Sequence, residues 1–333
     1  MAARTPADSR ASSVLTSLDE LSLDASPLVE GALVEFAPAK INLTLAVERR
    51  RPDGFHDITS LVAFASIGDE LSLRPGPELS LEVTGPFARD AGAPDANLVL
   101  RAARALAKRL PGLRQGEISL IKNLPAAAGL GGGSADAAAI LRLLARLNGL
   151  SPASAPIQDV ARETGSDVPV CLAGECRMMG GRGEILGPKL DMPRLHAVLV
   201  NPGIQLKTAR VFAALAKKGD GDACLIFEPP RRKSTPSDWL AAIAICGNDL
   251  EPPAVSLAPA VQDARERLRA QAGCVLARMT GSGTTVFGLF EDEAAAALAA
   301  RAIVSDRPDW WIRSVGLNAA PRSSLNSSGG SKA

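Results

Sequence analysis

A glycine-rich run between an apolar strand pattern and an amphipathic helix pattern constrains this chain more than any other feature. The run, Pro125–Gly133, follows the predicted strand Glu117–Ile121 and leads into the predicted helix Ser134–Leu147. Glycine permits a tight backbone path and close approach to a ligand. The helix N-terminus that follows offers unpaired N–H groups and the positive end of a dipole. The segment therefore predicts an anion site suited to phosphate groups.

This loop differs from two common nucleotide-binding patterns. It lacks the lysine of the Walker loop, G-x-x-x-x-G-K-[ST], and Ser134 occupies the third glycine position of the dinucleotide fingerprint. The Ser134 hydroxyl is placed to cap the helix, to contact phosphate or to touch a phosphate-bound Mg²⁺. A plainer alternative is a glycine turn that serves helix–strand packing alone.

Three further segments carry the residue types that phosphoryl transfer requires. Lys40 is expected just before a strand, Ile41–Val47, and Asn42 on the polar face of that strand. Asp167 is a carboxylate in an otherwise apolar stretch, and Met279–Phe287 is a second glycine loop between two predicted strands. Phosphoryl transfer depends on positioning and charge stabilisation. The plainer alternative for the lysine and the aspartate is a buried ion pair.

Composition excludes several classes of protein. The 37 Lys+Arg residues nearly balance 36 Asp+Glu residues, so the net charge of +1 gives no strong attraction to nucleic acid. Five scattered cysteines and two histidines argue against a disulfide framework and against a thiolate or histidine metal centre. No apolar run approaches the roughly 18–20 residues of a membrane span. We expect a cytoplasmic protein that binds neither nucleic acid nor membrane.

Periodicity and turn residues predict a mixed α+β protein. Strands are expected at residues 33–36, 41–47, 58–64, 70–73, 79–83, 117–121, 274–279, 285–290 and 311–315. Helices are expected at residues 98–110, 134–147, 157–164, 239–246, 255–271 and 293–303. Asn97 is expected to cap the first helix. Residues 217–238, rich in Gly, Asp, Pro and charged side chains, predict a mobile surface loop.

Together these motifs resemble the GHMP kinases, named for galactokinase, homoserine, mevalonate and phosphomevalonate kinases. The P-x-K stretch Pro38–Lys40, the loop Pro125–Ser134 and the second glycine loop occur in the family's order. The phrases A-P-A-K-I-N-L, R-x-D-G-[YF]-H, G-L-G-G-G-S-A-D-A-A, G-x-D-V-P and N-D-L-E resemble most closely the branch that acts on a cytidine diphosphate methylerythritol. The resemblance covers residues 34 to 317.

The resemblance implies a two-domain fold with the active site in the cleft between the domains. Residues 31–190 would form the N-terminal ATP-binding domain, a ribosomal-protein-like α/β sandwich, and residues 191–320 the C-terminal α+β domain. Residues 1–30 and 321–333 lie outside the resemblance, and their Ser-rich or low-complexity composition predicts disordered extensions. The implied reaction is phosphorylation of the 2-hydroxyl of the methylerythritol moiety by ATP and Mg²⁺, in the non-mevalonate isoprenoid pathway.

The resemblance also implies roles for particular residues. Lys40 and Asp167 would be the catalytic pair. The ATP-binding residues would be Pro125, Ala126, Ala127, Ala128, Gly129, Leu130, Gly131, Gly132, Gly133, Ser134 and Ala135, with Asn97 near the adenine. The substrate-binding residues would be Asn42, Phe55, His56, Phe212, Gly281, Ser282 and Gly283, and Ser134 would also be a possible Mg²⁺ contact.

Two residues depart from the family pattern, and two other functions stay open. Phe55 stands where tyrosine is common, which keeps stacking on a cytosine and loses a hydroxyl, and Lys207 stands where proline is frequent. Phe212 is the candidate facing ring, although a helix residue of this kind can equally belong to the core. The alternatives are a GHMP kinase for mevalonate, homoserine or a sugar, and a non-catalytic nucleotide-binding regulator. A nicotinamide oxidoreductase would need a true dinucleotide fingerprint with an acidic ribose partner.

Overall fold

A computed structural model describes residues 31–217, 224–231 and 233–319. The extensions predicted at residues 1–30 and 321–333 lie outside the described residues, as does part of the loop predicted at 217–238. None of the helices in the described ranges is long and apolar enough to cross a membrane.

The described residues form eleven strands and nine α-helices. The strands are β1 (Leu33–Asn42), β2 (Ala46–Arg50), β3 (His56–Gly76), β4 (Ser80–Thr84), β5 (Gln115–Ile121), β6 (Arg177–Gly180), β7 (Ile185–Lys189), β8 (Leu195–Asn201), β9 (Cys274–Met279), β10 (Val286–Phe290) and β11 (Trp311–Leu317). The helices are α1 (Leu98–Arg109), α2 (Gly132–Leu147), α3 (Ala155–Thr164), α4 (Val168–Ala173), α5 (Thr208–Lys217), α6 (Pro236–Ala244), α7 (Glu251–Leu257), α8 (Ala260–Arg269) and α9 (Glu293–Asp306). This content confirms the mixed α+β class.

Strand β3 is the centre of the sheet. It runs for 21 residues and pairs antiparallel with β1, β2, β5 and β6. Its Ala65 pairs with Leu317 of β11, and β11 continues through β8 and β10 to β9. One sheet therefore connects the two halves of the described chain. The division predicted between residues 190 and 191 stays a prediction.

Helices cover the sheet in two groups, each over its own apolar cluster. Helices α1 to α4 pack with β1, β3 and β5, and α8 and α9 pack with β8 to β11. Alanines 137 to 139 of α2 are fully buried, since small side chains let this helix lie close to β1 and β3. A third cluster joins residues of β1 and β3 to residues of α6, β8 and β10, and its residues alternate along β3 and β8 with those of the other two clusters.

The structure corrects the sequence prediction in the first strand. Strand β1 is continuous from Leu33 to Asn42, so Lys40 lies within the strand and not before it. Pro38 lies in the interval 37–40 outside the predicted strands, and proline cannot donate to a sheet ladder. Here the pairing register shifts between Pro38 and Lys40, which accommodates the missing N–H group. The strands predicted at residues 58–64 and 70–73 are likewise parts of one strand, β3.

Two helix predictions are wrong in their bounds, and several elements were not predicted. Helix α2 begins at Gly132, so Ser134 lies in its first turn and does not cap it; the N-cap is Gly131, without a side-chain bond. The helix predicted at 255–271 is two helices, α7 and α8, which are separated at Ala258 and Pro259. Strands β6 to β8 and the short helix α4 were not predicted. Asn97 caps α1 as expected, accepting a 2.9 Å bond from the Val99 N–H.

The core under α1 generates a stability prediction. Leu106 is fully buried on α1, whereas Leu298 on α9 is 61% exposed. We expect Leu106→Ala to lower the free energy of unfolding by about 2–5 kcal/mol, because it leaves a cavity. The matched change Leu298→Ala should alter it by at most about 0.5 kcal/mol. Urea denaturation of both variants checks this, and equal losses would contradict the packing described.

Candidate active site

A cavity of about 980 Å³ lies where three segments meet. They are the loop Pro125–Gly133, named the phosphate loop after its predicted role, strand β1 and the second glycine loop. Its walls include Lys40 and Asn42 of β1, the turn before β3, the start of α5 and the residue before α4, Asp167. Most of the predicted site residues therefore surround one space. The following contacts determine how they are held.

Lys40 and Asp167 form an ion pair at the cavity wall. The Lys40 Nζ atom lies 3.0 Å from Asp167 Oδ2 and donates a 2.9 Å hydrogen bond to Asn42 Oδ1. Lys40 is 3% exposed, while the Asp167 side chain keeps 33% of its surface exposed. A buried cation thus holds a carboxylate that still faces solvent in the cavity.

The phosphate loop packs directly on the Lys40 side chain. The Lys40 N–H donates a 2.8 Å hydrogen bond to the Leu130 carbonyl, which joins β1 to the loop. At Gly131, φ is +63°, and an added Cβ would lie 3.0 Å from Lys40 Cε and 3.1 Å from Lys40 Cβ. Glycine is required here both for its backbone conformation and because any side chain would displace the lysine.

The two glycine loops touch each other through their backbones. The Thr285 N–H donates a 3.1 Å bond to the Ala128 carbonyl. At Gly129, φ is +76°, and an added Cβ would lie 2.4 Å from the Thr280 carbonyl oxygen. The Asn248 side chain holds the second loop from behind, donating to the Met279 and Gly281 carbonyls at 2.8 and 2.9 Å. This packing brings loops from distant parts of the chain to one wall of the cavity.

A buried charge cluster ties both ends of the phosphate loop to β3. Lys122 contacts Asp69 of β3 and lies 2.7 Å from Asp136 Oδ2 of α2. Asp69 Oδ1 also accepts the N–H groups of Asn123 and Leu124 at 2.6 and 2.9 Å, just before the loop. The cluster therefore fixes the entry and the exit of the loop at once.

Protonation in this cluster departs from ordinary values. Burial raises the pKa of Asp136 well above its usual value, and the nearby Asp69 carboxylate adds to the effect against the influence of Lys122. Burial acts to lower the pKa of Lys122, but the Asp136 and Asp69 carboxylates outweigh it and the pKa is raised. The second oxygen of Asp136, Oδ1, has no hydrogen-bond partner among the described residues. Asp136 thus favours its protonated form more than an ordinary aspartate does.

Aromatic rings line the other end of the cavity. The His56 ring stacks on Phe212 with centroids 4.8 Å apart and an interplanar angle of 24°. Since these rings are in contact, no base fits between them in this arrangement. Phe55 is 51% exposed, and the guanidinium carbon of Arg182 lies 5.0 Å from its ring centroid. Burial, and then the Arg50 charge, lower the pKa of His56, which favours the neutral imidazole.

The structure places most predicted site residues on the cavity wall. Those that line it are Lys40, Asn42, Phe55, His56, Asn97, Pro125, Ala126, Ala127, Ala128, Gly129, Leu130, Gly131, Gly132, Gly133, Ser134, Asp167, Phe212, Gly281 and Ser282. Two predicted residues, Ala135 and Gly283, are absent from the wall. Ala135 is fully buried. The roles of all these residues stay predictions.

Several polar residues on the cavity wall were not among the site residues predicted from the sequence. Arg182, in the turn between β6 and β7, lines the cavity beside Phe55, and Thr208 hydrogen-bonds Ser282 at 2.7 Å. Lys122 and Asp136 also line it. Lys122 and Asp136 flank the glycine loop closely in sequence, so a search for charges beside that loop would have found them. Arg182 has no such sequence signal.

Two family models match this chain. The "GHMP kinases N terminal domain" matches residues 97–175, which include the phosphate loop, α2 and Asp167. The "GHMP kinases C terminal" model matches residues 231–308, which include the second glycine loop. With the fold and the cavity, these matches define the class: a two-domain kinase of the GHMP type.

Curated relatives show which family of GHMP kinases this chain belongs to. A protein of Methylobacterium radiotolerans named 4-diphosphocytidyl-2-C-methyl-D-erythritol kinase is 54% identical over 282 residues, which are 84% of this chain and 97% of the relative. A Bradyrhizobium sp. (strain ORS 278) protein of the same name is 49% identical over 290 residues, covering 85% of this chain and 96% of the relative. The chain belongs to the GHMP kinases, in the family of 4-diphosphocytidyl-2-C-methyl-D-erythritol kinases. It is therefore an ATP-using kinase.

Solved structures agree with this assignment. A crystal structure of 4-(cytidine 5'-diphospho)-2C-methyl-D-erythritol kinase matches with a TM-score of 0.69 and 32% identity, covering 86% of this chain and 100% of that one. Homoserine kinase from Cytophaga hutchinsonii matches with a TM-score of 0.58 and 18% identity, over 87% of this chain and 95% of that one. The second likeness shows the shared fold alone.

The buried cluster generates a prediction about pH. Because the pKa of Asp136 is raised in the folded chain, folding favours its protonated form. The stability that this proton contributes is complete below the ordinary carboxyl pKa of about 4 and is lost as pH rises through the raised value. Asp136→Asn has no carboxyl proton to lose at this position. The melting temperature of the variant minus that of wild type should therefore increase as pH rises.

The control for this prediction has the opposite sign. Asp238 is exposed, and the N–H and hydroxyl of Thr235 lower its pKa. Its stabilising effect is present above the ordinary carboxyl pKa and is lost as pH falls through the lowered value. Asp238→Asn should therefore differ from wild type most near neutral pH and least in acid. Parallel trends for the two variants in a melting series across pH would contradict the protonated state assigned to Asp136.

Proposed function

We propose that this chain transfers the γ-phosphoryl group of ATP to the 2-hydroxyl of 4-diphosphocytidyl-2-C-methyl-D-erythritol, giving the 2-phosphate and ADP. The reaction belongs to non-mevalonate isoprenoid precursor biosynthesis, and we place it in the cytoplasm. The observation that carries the proposal is the ion pair of buried Lys40 and partly exposed Asp167 beside the phosphate loop. The names of the curated relatives support the acceptor.

In the proposed mechanism, Asp167 accepts the proton of the attacking hydroxyl. Its carboxylate is partly exposed in the cavity, whereas its partner Lys40 is buried. General-base assistance of this kind contributes about 10²–10⁴-fold. Lys40 stabilises the carboxylate and offsets negative charge on the transferring group, which is the main demand of phosphoryl transfer on a protein.

The phosphate loop binds the ATP phosphates in this proposal. Residues Gly132 to Ser134 form the first turn of α2, where backbone N–H groups lack partners within the helix. Those N–H groups and the helix dipole attract the phosphate oxygens. Asn97 lies on the wall of the same cavity and is proposed to approach the adenine.

The cavity fits a Mg²⁺ ion that arrives with ATP. The described residues contain no group of three or more His, Cys, Asp or Glu side chains that could hold a metal. Magnesium commonly binds through substrate phosphates with few protein ligands. The Ser134 hydroxyl, which lines the cavity, would hold it with the phosphates, and the ion would offset phosphate charge.

The aromatic end of the cavity is proposed to bind the cytidine part of the acceptor. Phe55 offers an exposed ring for stacking, and His56 beside it offers a ring nitrogen for the base edge. Phe212 stacks on the His56 ring and supports it. Asn42, Gly281 and Ser282 line the wall towards the reacting hydroxyl. A mevalonate, homoserine or sugar kinase would have no use for such a nucleobase site.

A coupled ADP-release assay tests the function. The cytidine diphosphate methylerythritol should support turnover, and mevalonate, homoserine and galactose should not. Asp167→Asn should lower kcat by about 10²–10⁴-fold, because the general base is lost. The matched change Asp159→Asn removes a carboxylate on α3 that pairs with Arg162 at 2.5 Å, and it should leave kcat unchanged.

Either of two results would contradict the proposal. Turnover of a different acceptor would keep the GHMP kinase class and remove the cytidine assignment. Full activity of Asp167→Asn would remove the catalytic role of the ion pair.

A further inference from the structure

We propose that Ser60 is a positioning residue: its hydroxyl holds the Asn42 side-chain amide in place with Oδ1 towards Lys40. This inference rests on the proposed catalytic role of Lys40. Ser60 lies on β3, is fully buried and is absent from the cavity wall. It therefore acts through Asn42 and touches neither ATP nor the acceptor.

The hydroxyl proton of Ser60 is already used in a hydrogen bond to the backbone. Ser60 Oγ donates a 2.5 Å hydrogen bond to the Thr44 carbonyl oxygen, and a carbonyl can only accept. A serine hydroxyl has one proton and two acceptor lone pairs. Towards any other neighbour, Ser60 can therefore only accept a hydrogen bond.

That constraint orients the Asn42 side chain. The atom of Asn42 that faces Ser60 has to be a donor, and Nδ2 lies 2.7 Å from Ser60 Oγ. The amide oxygen Oδ1 then faces Lys40, whose Nζ donates to it at 2.9 Å. The backbone of Asn42 is held independently, since its N–H donates a 2.9 Å bond to Thr280 Oγ1.

The opposite orientation would place the amide NH₂ group against the Lys40 ammonium. An ammonium has three donors and no acceptor, so the contact would become repulsive. In the observed orientation two donors of Lys40 point at Asn42 Oδ1 and Asp167 Oδ2. One donor remains to meet an oxygen of the transferring phosphoryl group. The Ser60 hydroxyl thus influences the orientation of the Lys40 ammonium through the Asn42 side chain.

Removal of the Ser60 hydroxyl should affect the chemical step more than binding. Without it, Asn42 Nδ2 loses its acceptor, so the amide is held on one side only and Oδ1 is less firmly placed for Lys40. We expect Ser60→Ala to lower kcat about tenfold, in line with the loss of one aligned hydrogen bond. The KM values for ATP and acceptor should change less than about twofold, and Ser60→Thr, which keeps a hydroxyl, should restore most of kcat.

A control on the same strand separates this effect from general destabilisation. Ser66 is also buried on β3, 2% exposed, and its hydroxyl accepts a 3.0 Å bond from the Gly316 N–H. Ser66→Ala removes a buried hydroxyl of the same kind away from the cavity, so kcat should match wild type. An equal loss of kcat in Ser66→Ala and Ser60→Ala would overturn the proposal.

A double-mutant cycle tests whether Ser60 acts through Asn42. If it does, Ser60→Ala should have no further effect on kcat once Asn42→Ala is present. The double variant should then match Asn42→Ala within about twofold. Losses that multiply, or a Ser60→Thr variant as slow as Ser60→Ala, would overturn the proposal.

The four proteins of this cycle, which are wild type, Ser60→Ala, Asn42→Ala and the double variant, also give a readout that needs no turnover. Their melting temperatures should show the same coupling: the double variant should melt at the same temperature as Asn42→Ala. If wild type released no ADP with any acceptor, the proposed function would fall while this cycle still decided the Ser60–Asn42 contact. Additive shifts in melting temperature would show that the two side chains act independently.

Discussion

The contact between the Lys40 side chain and the backbone of the phosphate loop determines the arrangement of the whole site. Gly131 leaves no room between loop and lysine, and the Lys40 N–H bonds the Leu130 carbonyl. Because the loop continues into α2, the helix N-terminus is set relative to the ammonium group. The proposed position of the phosphates and the position of the Lys40 ammonium therefore depend on the same contact.

Buried polar groups surround this contact, and each is stabilised by specific partners. Burying a charge is costly unless it is paired and hydrogen-bonded. Lys40 has Asp167 and Asn42 as partners, and Lys122 has Asp69 and Asp136. Removing one partner from such a group leaves the other charge buried and unpaired. Precise geometry in the cavity therefore depends on residues that never reach its wall, Asp69 and Ser60 among them.

Local sequence patterns predicted the parts of the fold with strong local signals. The cap at Asn97, the helix after the glycine loop and the strands on either side of the second loop follow from residue type and spacing. The interval between the two predicted parts of β3 contains the polar residues Ser66 and Asp69, yet both are buried with partners from distant parts of the chain. Tertiary contacts of this kind leave no mark in a local window.

The same distinction applies to the site. Lys40, Asp167 and the two glycine loops lie in motifs that resemble a known family, and most of these residues meet at one cavity. Arg182 and Ser60 lie outside recognisable motifs, and their positions depend on strand pairing. The sequence alone does not decide whether Phe212 belongs to the core or to the site. In the structure its ring lines the cavity and stacks on His56.

The most direct test of the account is a crystal structure with a non-hydrolysable ATP analogue and the cytidine diphosphate methylerythritol bound together. The account predicts that the 2-hydroxyl lies within hydrogen-bond distance of the Asp167 carboxylate. It also predicts that the γ-phosphate lies beside Lys40 and the first turn of α2. An acceptor hydroxyl bound away from Asp167, with the γ-phosphate out of reach of Lys40, would contradict it.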